Sequence, residues 1–416
     1  MIEARDVQTK GWDTISIIKK EKINKALELN WGKLNPSFNY ESEGVSVCGQ
    51  FSSWSIVDGG GGQLLRIQMP IQSGKLETPE KQFNLDGCTA YIDVSLSLIP
   101  EKTSKAVLRT SYQNLALKRE DITLDRGGWL LPNKLCPSEQ VGVYDQVVLQ
   151  YICKYFIANP NQFEQIFAEV SFAKSGCPDW AKPKKCAYSY LDSGYLSILS
   201  VCSDKDVSRL PLDVDVSGCN MAKSASYILS NQFFLQNIFL TGLTDLYQNC
   251  GLGDFYYQNN EYKNIWELRM KSVKAGAINY TPIVYKNKNI IKTENGRVNI
   301  SFDGKCSLKA GIYMYWGGCV EWGVSLENGV LRLYLSTSGF HHSADTIPWY
   351  LVWLSPIVVI IYNVTVSAIS NKLTKNIENR IKNIHIANMD CVQWMALAGT
   401  LPDSVSISEA LILGYQ

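Results

Sequence analysis

The stretch from Ile347 to Ile386 constrains this chain's fold more than any other. It opens with an apolar run, Ile347-Pro348-Trp349-Tyr350-Leu351-Val352-Trp353-Leu354-Ser355-Pro356-Ile357-Val358-Val359-Ile360-Ile361-Tyr362. Without a break, Ile369, Leu373, Ile377 and Ile381 then recur every fourth residue, with Asn, Lys and Glu between them. That spacing puts them on one stripe of a helix. No glycine interrupts the stretch, and past its opening Pro356 is the only breaker. From Ile357 to Ile386 such a helix is about 45 Å long at 1.5 Å per residue. It is apolar all round in its first half and amphipathic in its second. A helix of that kind either spans a membrane or is wrapped by other protein for half its length. No charged residue lies between Asp345 and Lys372, so a single span at 347–369 is long enough for a bilayer. Asn363, Thr365 and Ser367 dilute the run, and the amphipathic continuation suits packing against protein.

The rest of the chain supplies material to wrap such a helix. Val45, Val47 and Phe51 alternate with polar residues, and Leu65, Ile67, Met69 and Ile71 do so again after Gly59-Gly60-Gly61-Gly62. Two alternating runs around a glycine loop predict a long hairpin. Ile92 to Leu98 predicts another strand, and Val147, Leu149, Tyr151, Cys153, Tyr155 and Ile157 a further long one. Tyr188 to Cys202 reads as a hairpin turning at Asp192-Ser193-Gly194. Later strands are expected at Trp266–Met270, Ile278–Tyr280, Val298–Phe302, Leu308–Trp316 and Val320–Leu326, with Asn328-Gly329 as a type I′ turn into Leu331–Leu335. Such strands, apolar on one face, belong to antiparallel sheets with one covered side. Two helices are expected besides the long one: an amphipathic one at Thr14–Asn30, and an apolar one from Tyr227 through Phe234 and Phe239 that ends near Gly242. The order is helix, strands, helix, strands, long helix. The alternation allows two similar halves, with no sequence repeat and no linker to divide 1–416.

Several function classes lose support on composition. There are 40 basic and 39 acidic residues, and a nucleic-acid binder needs a basic excess. The 12 cysteines are scattered, without a Cys-x-x-Cys zinc pattern, as expected of free thiols in a reducing cytoplasm. The charged start Met1-Ile2-Glu3-Ala4-Arg5-Asp6 lacks the apolar core of a Sec signal. Gly59–Gly62 is followed by a strand, not by the helix of a phosphate loop. Asp213-Val214-Asp215-Val216-Ser217-Gly218 starts like a calcium loop, but its twelfth position is Ser224 rather than Glu, so a turn rich in acceptors is the better reading. His341 and His342 point apart in a strand, and His385 is the only other histidine. With no nucleophile, base or metal set, the expectation is a protein that is not an enzyme and needs no cofactor.

Gly11-Trp12-Asp13-Thr14, Gly49-Gln50-Phe51-Ser52-Ser53-Trp54, Leu64-Leu65-Arg66-Ile67-Gln68-Met69-Pro70-Ile71-Gln72-Ser73-Gly74, Leu229-Ser230-Asn231-Gln232-Phe233-Phe234-Leu235-Gln236-Asn237 and Trp349-Tyr350-Leu351-Val352-Trp353 together resemble the clostridial forty-seven-kilodalton (P-forty-seven) family of botulinum-type neurotoxin OrfX gene clusters. The mass of 46.7 kDa agrees. The resemblance runs over essentially the whole chain and offers no catalytic residues. It implies an α+β, TULIP-like fold, elongated, with long helices wrapped by strongly curved antiparallel β-sheets. It also implies an accessory role beside a toxin. Partners would be lipids or a membrane surface, sister OrfX-type proteins or the toxin complex, with extracellular release alongside the toxin.

Two functions follow as expectations. In one, the protein binds lipid or protein through a TULIP-like tube. A lipid would then lie where the apolar part of the long helix meets the sheet, at Leu351, Trp353, Ile357 and Ile361, with Phe234 and Phe239 from the other apolar helix. The same side chains filling a closed core is the plainer account of them. In the other, the chain inserts into a membrane through 347–369.

Overall fold

The computed structural model describes residues 7–416 except 103, 124–126, 220–222, 276, 309–310 and 382–385; it does not describe the side chains of Lys102, Trp349, Tyr350, Trp353, Ile381, Ile386 and Ala387. A six-stranded antiparallel sheet gathers distant parts of the chain in the order Lys185–Leu191, Tyr195–Val201, Thr14–Lys19, Ala225–Ser230, Ala410–Tyr415, Ser404–Ile407. Both its faces are covered. Ile18, Leu196, Ile198, Tyr227, Leu229, Leu411 and Leu413 face the main core. Ile15, Ile17, Leu199, Val201, Ile228 and Ile412 face a smaller one closed by Trp12, Val214 and Val216. Thr14–Lys19 is thus a strand, and only Lys20–Asn30 of the expected helix is helical. Burial on both faces gives a near-continuous apolar run, which mimics the wide face of a helix. The expected hairpin between Tyr188 and Cys202 is present in this sheet.

The second body is a branched eleven-stranded sheet. Its long strand Leu64–Glu77 changes neighbours along its length: residues 64–70 pair with Thr89–Lys102, and residues 71–77 with Val45–Phe51. Ser55–Gly61 and Leu64–Glu77 form a hairpin at the glycines, but the expected first arm is split: Val45–Phe51 is a separate strand that pairs with residues 71–77. Packed on this sheet is a helix, Asp145–Ala158, where the alternation predicted a strand. Its buried residues Val148, Leu149, Ile152, Cys153 and Phe156 share a core with Phe38, Phe51, Trp54 and Phe163. Trp54 stacks 4.8 Å from Phe163 and meets Phe156 edge-on at 5.5 Å. The period-two signal was false because this helix is apolar on most sides. The spacing 148, 149, 152, 153, 156 carries the helical period.

The third body is a seven-stranded sheet running through Phe255–Gln258, Glu261–Asn264, Ile283–Glu294, Arg297–Ser307, Tyr313–Glu327 and Val330–Ala344, with Leu268–Arg269 at its side. Asn328 and Gly329 turn with φ of 52° and 73°, as the sequence predicts. Leu308–Trp316 is not one strand. One strand ends at Ser307 and the next begins at Tyr313, joined by a turn in which the Leu308 amide donates to the Ile312 carbonyl; Ala310 lies outside the described residues. Against this sheet lies the middle helix, 231–246. Tyr227 and Ile228, expected within it, belong to the preceding strand, and Ser230 Oγ caps its start by accepting from the Phe233 amide at 3.3 Å. Gly242 does not end the helix, which runs on to Leu246.

The long helix follows. A 3₁₀ turn, Trp349–Leu354, leads into α-helix Ser355–Ser367, a π segment Ala368–Lys372 and α-helix Leu373–Ile381. Its inward residues are Ile361, Thr365, Ile369, Leu373 and Ile377. In an α-helix a strict spacing of four drifts by about 40° per step. The wider turn of the π segment takes up part of that drift and keeps the row facing inward. Asp345 does not cap this helix; its carboxylate accepts from the Tyr313 amide at 2.9 Å.

Candidate interaction surface

The long helix is seated on its inner row and open on the opposite side. Asn376 Nδ2 donates to the Gly242 carbonyl at 3.0 Å, and Arg380 Nη2 to the Thr241 carbonyl at 3.2 Å. A Cβ on Gly242 would lie 3.4 Å from Ile377 Cγ1, in van der Waals contact, so the crossing leaves no room for a side chain much larger than a methyl. Tyr362 packs against His342 with ring centroids 4.1 Å apart and the rings tilted by 32°. On the open side Val352 is 65% exposed, Val359 47%, Ile360 42% and Val364 41%. A short run of large aliphatic side chains in water on one helix face is more than scattered surface apolarity. The next charged residues are Lys372 and Lys375; between Asp345 and Glu378 there is no acidic residue.

The predicted lipid-contact residues separate into layers. Ile361, Phe234 and Phe239 are fully buried in the main core. Phe239 lies edge-on to Phe234 at 5.5 Å and to Trp322 at 6.3 Å. Leu351 and Ile357 are partly buried and pack against the same core at the border of the open face. The Trp353 side chain lies outside the described residues. What the sequence reading missed is the open face itself, Val359, Ile360 and Val364. Its signal was present: a helix with an apolar row to bury that stays apolar on the other side.

Elsewhere the surface offers less chemistry. A cleft of about 590 Å³ opens between Gly62, Ser189–Ser193 and Leu212–Ser217. The calcium-like segment lines it as an ordinary turn, in which Asp215 Oδ1 accepts from the Ser217 amide at 2.9 Å. Asp213 pairs with Lys10 at 2.7 Å, which holds its carboxyl below the usual range. Among the described residues no three His, Cys, Asp or Glu side chains converge as metal ligands; His385 lies outside them.

Fold and surface together define a predominantly β protein of antiparallel sheets whose one long helix shows an apolar face to solvent. Residues 9–317 match the family model described as OrfX-like, Protein OrfX2/OrfX3/P47, and the chain belongs to that family. It is 25% identical over 244 residues to Protein P47 of Clostridium botulinum (strain Kyoto / Type A2), an alignment spanning 56% of each protein. It is 21% identical over 391 residues to Protein OrfX3 of Paraclostridium bifermentans, covering 85% of this chain and 74% of that protein. Among solved structures, P47 from C. botulinum A2 superposes with a TM-score of 0.68 at 19% identity, covering all of both chains. P47 of C. botulinum E1 does so with a TM-score of 0.69 at 18% identity, covering 99% of this chain and 100% of that one. The shared fold thus extends over the long helix, which lies beyond the stretch that the family model matches.

Proposed function

We propose that this chain is a non-enzymatic accessory protein of a toxin gene cluster, TULIP-like in architecture, that docks on lipid surfaces through the open face of its long helix. The observation that carries this reading is the exposed row Val352, Val359, Ile360 and Val364, followed by Lys372 and Lys375 and free of acidic residues from Thr346 to Ile377. A helix with one apolar face and nearby cations suits the boundary between acyl chains and anionic headgroups. Leu351 and Ile357 border the contact, while Ile361, Phe234 and Phe239 form the floor that holds the helix in place. In this reading the protein acts outside the cell, released alongside the toxin. Sister OrfX-type proteins or the toxin complex are its other candidate partners.

Co-sedimentation with phosphatidylserine vesicles, against phosphatidylcholine vesicles, tests the reading. Binding to the anionic vesicles is expected to weaken with salt. Ile360→Asp is expected to lower it at least ~10-fold, from lost burial plus a charge placed at the interface. The melting temperature should not change. Indifference to all vesicles, with capture of a sister protein lost in Ile360→Asp, would move the face to protein binding. A second reading, insertion as a span, draws on the same helix. Ser355–Arg380 is 26 residues with a window of mean hydropathy 1.4, and 28% of that window is buried. Resistance of vesicle-bound protein to alkaline carbonate would favour insertion over surface docking.

A further inference from the structure

Away from the long helix's open face, two cysteines from distant parts of the chain meet. Cys177 sits in the loop after the strand Ile166–Ser171, and Cys391 directly precedes the strand Val392–Trp394 that pairs with it. The Cys391 thiol donates to the Cys177 sulfur at 3.4 Å, across 214 positions of sequence. Both are buried, 6% and 5% exposed, and with Ala181 they form a small apolar cluster of their own, bordered by Trp180. Their backbones are held together at two further points. The Ser171 amide donates to the Cys391 carbonyl at 2.9 Å. Gly176, at a φ of 77°, brings the loop so close to Asn388 that a Cβ would lie 2.5 Å from Asn388 Nδ2.

We propose that Cys177 and Cys391 are a redox-linked pair that closes to a disulfide when the protein leaves a reducing compartment, stapling the segment that follows the long helix to the loop after Ile166–Ser171. The sulfurs must approach from 3.4 Å to about 2.05 Å, a distance within reach of side-chain rotation. The pair is also chemically unequal. The Cys391 thiol, with Lys174 and Lys182 nearby, holds the Cys177 thiol below its ordinary value against the effect of burial. Cys391 itself is pushed up, by the same hydrogen bond and by burial. Cys177 is therefore the attacking sulfur. With glutathione disulfide as oxidant, the Cys177 thiolate attacks one glutathione sulfur and expels glutathione thiolate. The Cys391 thiolate then attacks the Cys177 sulfur of the mixed disulfide and expels the second. Two protein thiols are oxidised, two glutathione molecules are reduced, and the two protons pass to the glutathione thiolates. Because the bond closes a long loop, it removes freedom from the unfolded chain and raises stability.

The test compares the full chain equilibrated in dithiothreitol and in glutathione disulfide. Non-reducing peptide mapping is expected to find the peptides of Cys177 and Cys391 joined in the oxidised sample only. The melting temperature should rise on oxidation, reversibly. Cys177→Ser should lose both effects, and Cys186→Ser, whose sulfur lies against Ser200 Oγ, should keep them. Three results would overturn the proposal: both thiols staying open to alkylation after oxidation and unfolding, glutathione remaining on Cys177, or a cross-link that leaves the melting temperature unchanged. The mapping is done on the unaltered chain, so a variant that fails to fold does not blunt it. None of these readouts depends on vesicle binding.

Discussion

Asp390 is a carboxyl shut away from bulk water. Its oxygens accept from Ser16 Oγ at 3.3 Å, Tyr415 OH at 3.0 Å and the Val392 amide at 2.9 Å. Burial pushes it up to about 6, while those hydrogen bonds and the charge of Lys174 pull the other way. Tyr227 and Tyr415 are held in their neutral forms first by burial and then by neighbouring groups that include Asp390, and Cys391 by its hydrogen bond with Cys177 and by burial. A carboxyl whose folded value lies above its unfolded one, about 4, keeps a proton that the unfolded chain has already released. The chain therefore gains stability from this group as pH falls through 6 towards 4, and loses that contribution as pH rises through 6. Urea unfolding of the native protein at pH 5 and pH 7.5 should show the gain, on the order of 2 kcal/mol at most, and Asp390→Asn should flatten the difference. This group could not be found in the sequence. Its partner Ser16 lies 374 positions away, and no local pattern marks a polar residue whose partners the tertiary fold supplies.

Secondary elements were legible where alternation and turn residues agree, and misread where an apolar run or an alternation stood alone. The chain reversals at Gly59–Gly62 and Asn328-Gly329 were read correctly, because turn chemistry and alternation agree there. Thr14–Lys19 was read as helix because burial on both faces gives a continuous apolar run, and Asp145–Ala158 as strand because an alternation over 147–157 overlies its helical spacing. Substitution reports the difference. Ile152→Ala, on the buried side of the Asp145–Ala158 helix, should cost about 2–5 kcal/mol in chemical denaturation, whereas Val359→Ala on the open face should stay within about 0.5 kcal/mol. Gly242→Val would drive a branched side chain into Ile377, which already stands 3.4 Å from where a Cβ would be. The crossing of the middle and long helices should loosen by about 1–3 kcal/mol. Exposure of the inner row would then appear as increased binding of a hydrophobic dye before global melting. On the same helix, the sequence displayed the inner row through its spacing of four but not the π segment that absorbs the drift, since the sequence contains no separate mark for an underwound turn.

For the molecule as a whole, scattered motifs pointed to the family, and the expected antiparallel β-sheets are present, while their arrangement could not be read. Strand partners are set by contacts between remote segments: Thr14–Lys19 lies between Tyr195–Val201 and Ala225–Ser230, and the latter pairs with Ala410–Tyr415. Deleting 404–416 would leave Ala225–Ser230, buried at every position, as a bare edge, and such edges recruit other chains. The truncated protein is expected in the insoluble fraction or as large assemblies on size exclusion. The same pairing has a consequence on the ribosome. At 5–20 residues per second, the strand made first waits on the order of ten seconds or more for its nearest partners, and longer for residue 415 to complete the sheet. By then the apolar long helix has already emerged. A nascent chain paused before residue 410 carries that helix without the closing strand, so codon tempo and chaperone supply late in translation should govern the yield of this protein more than its final stability does.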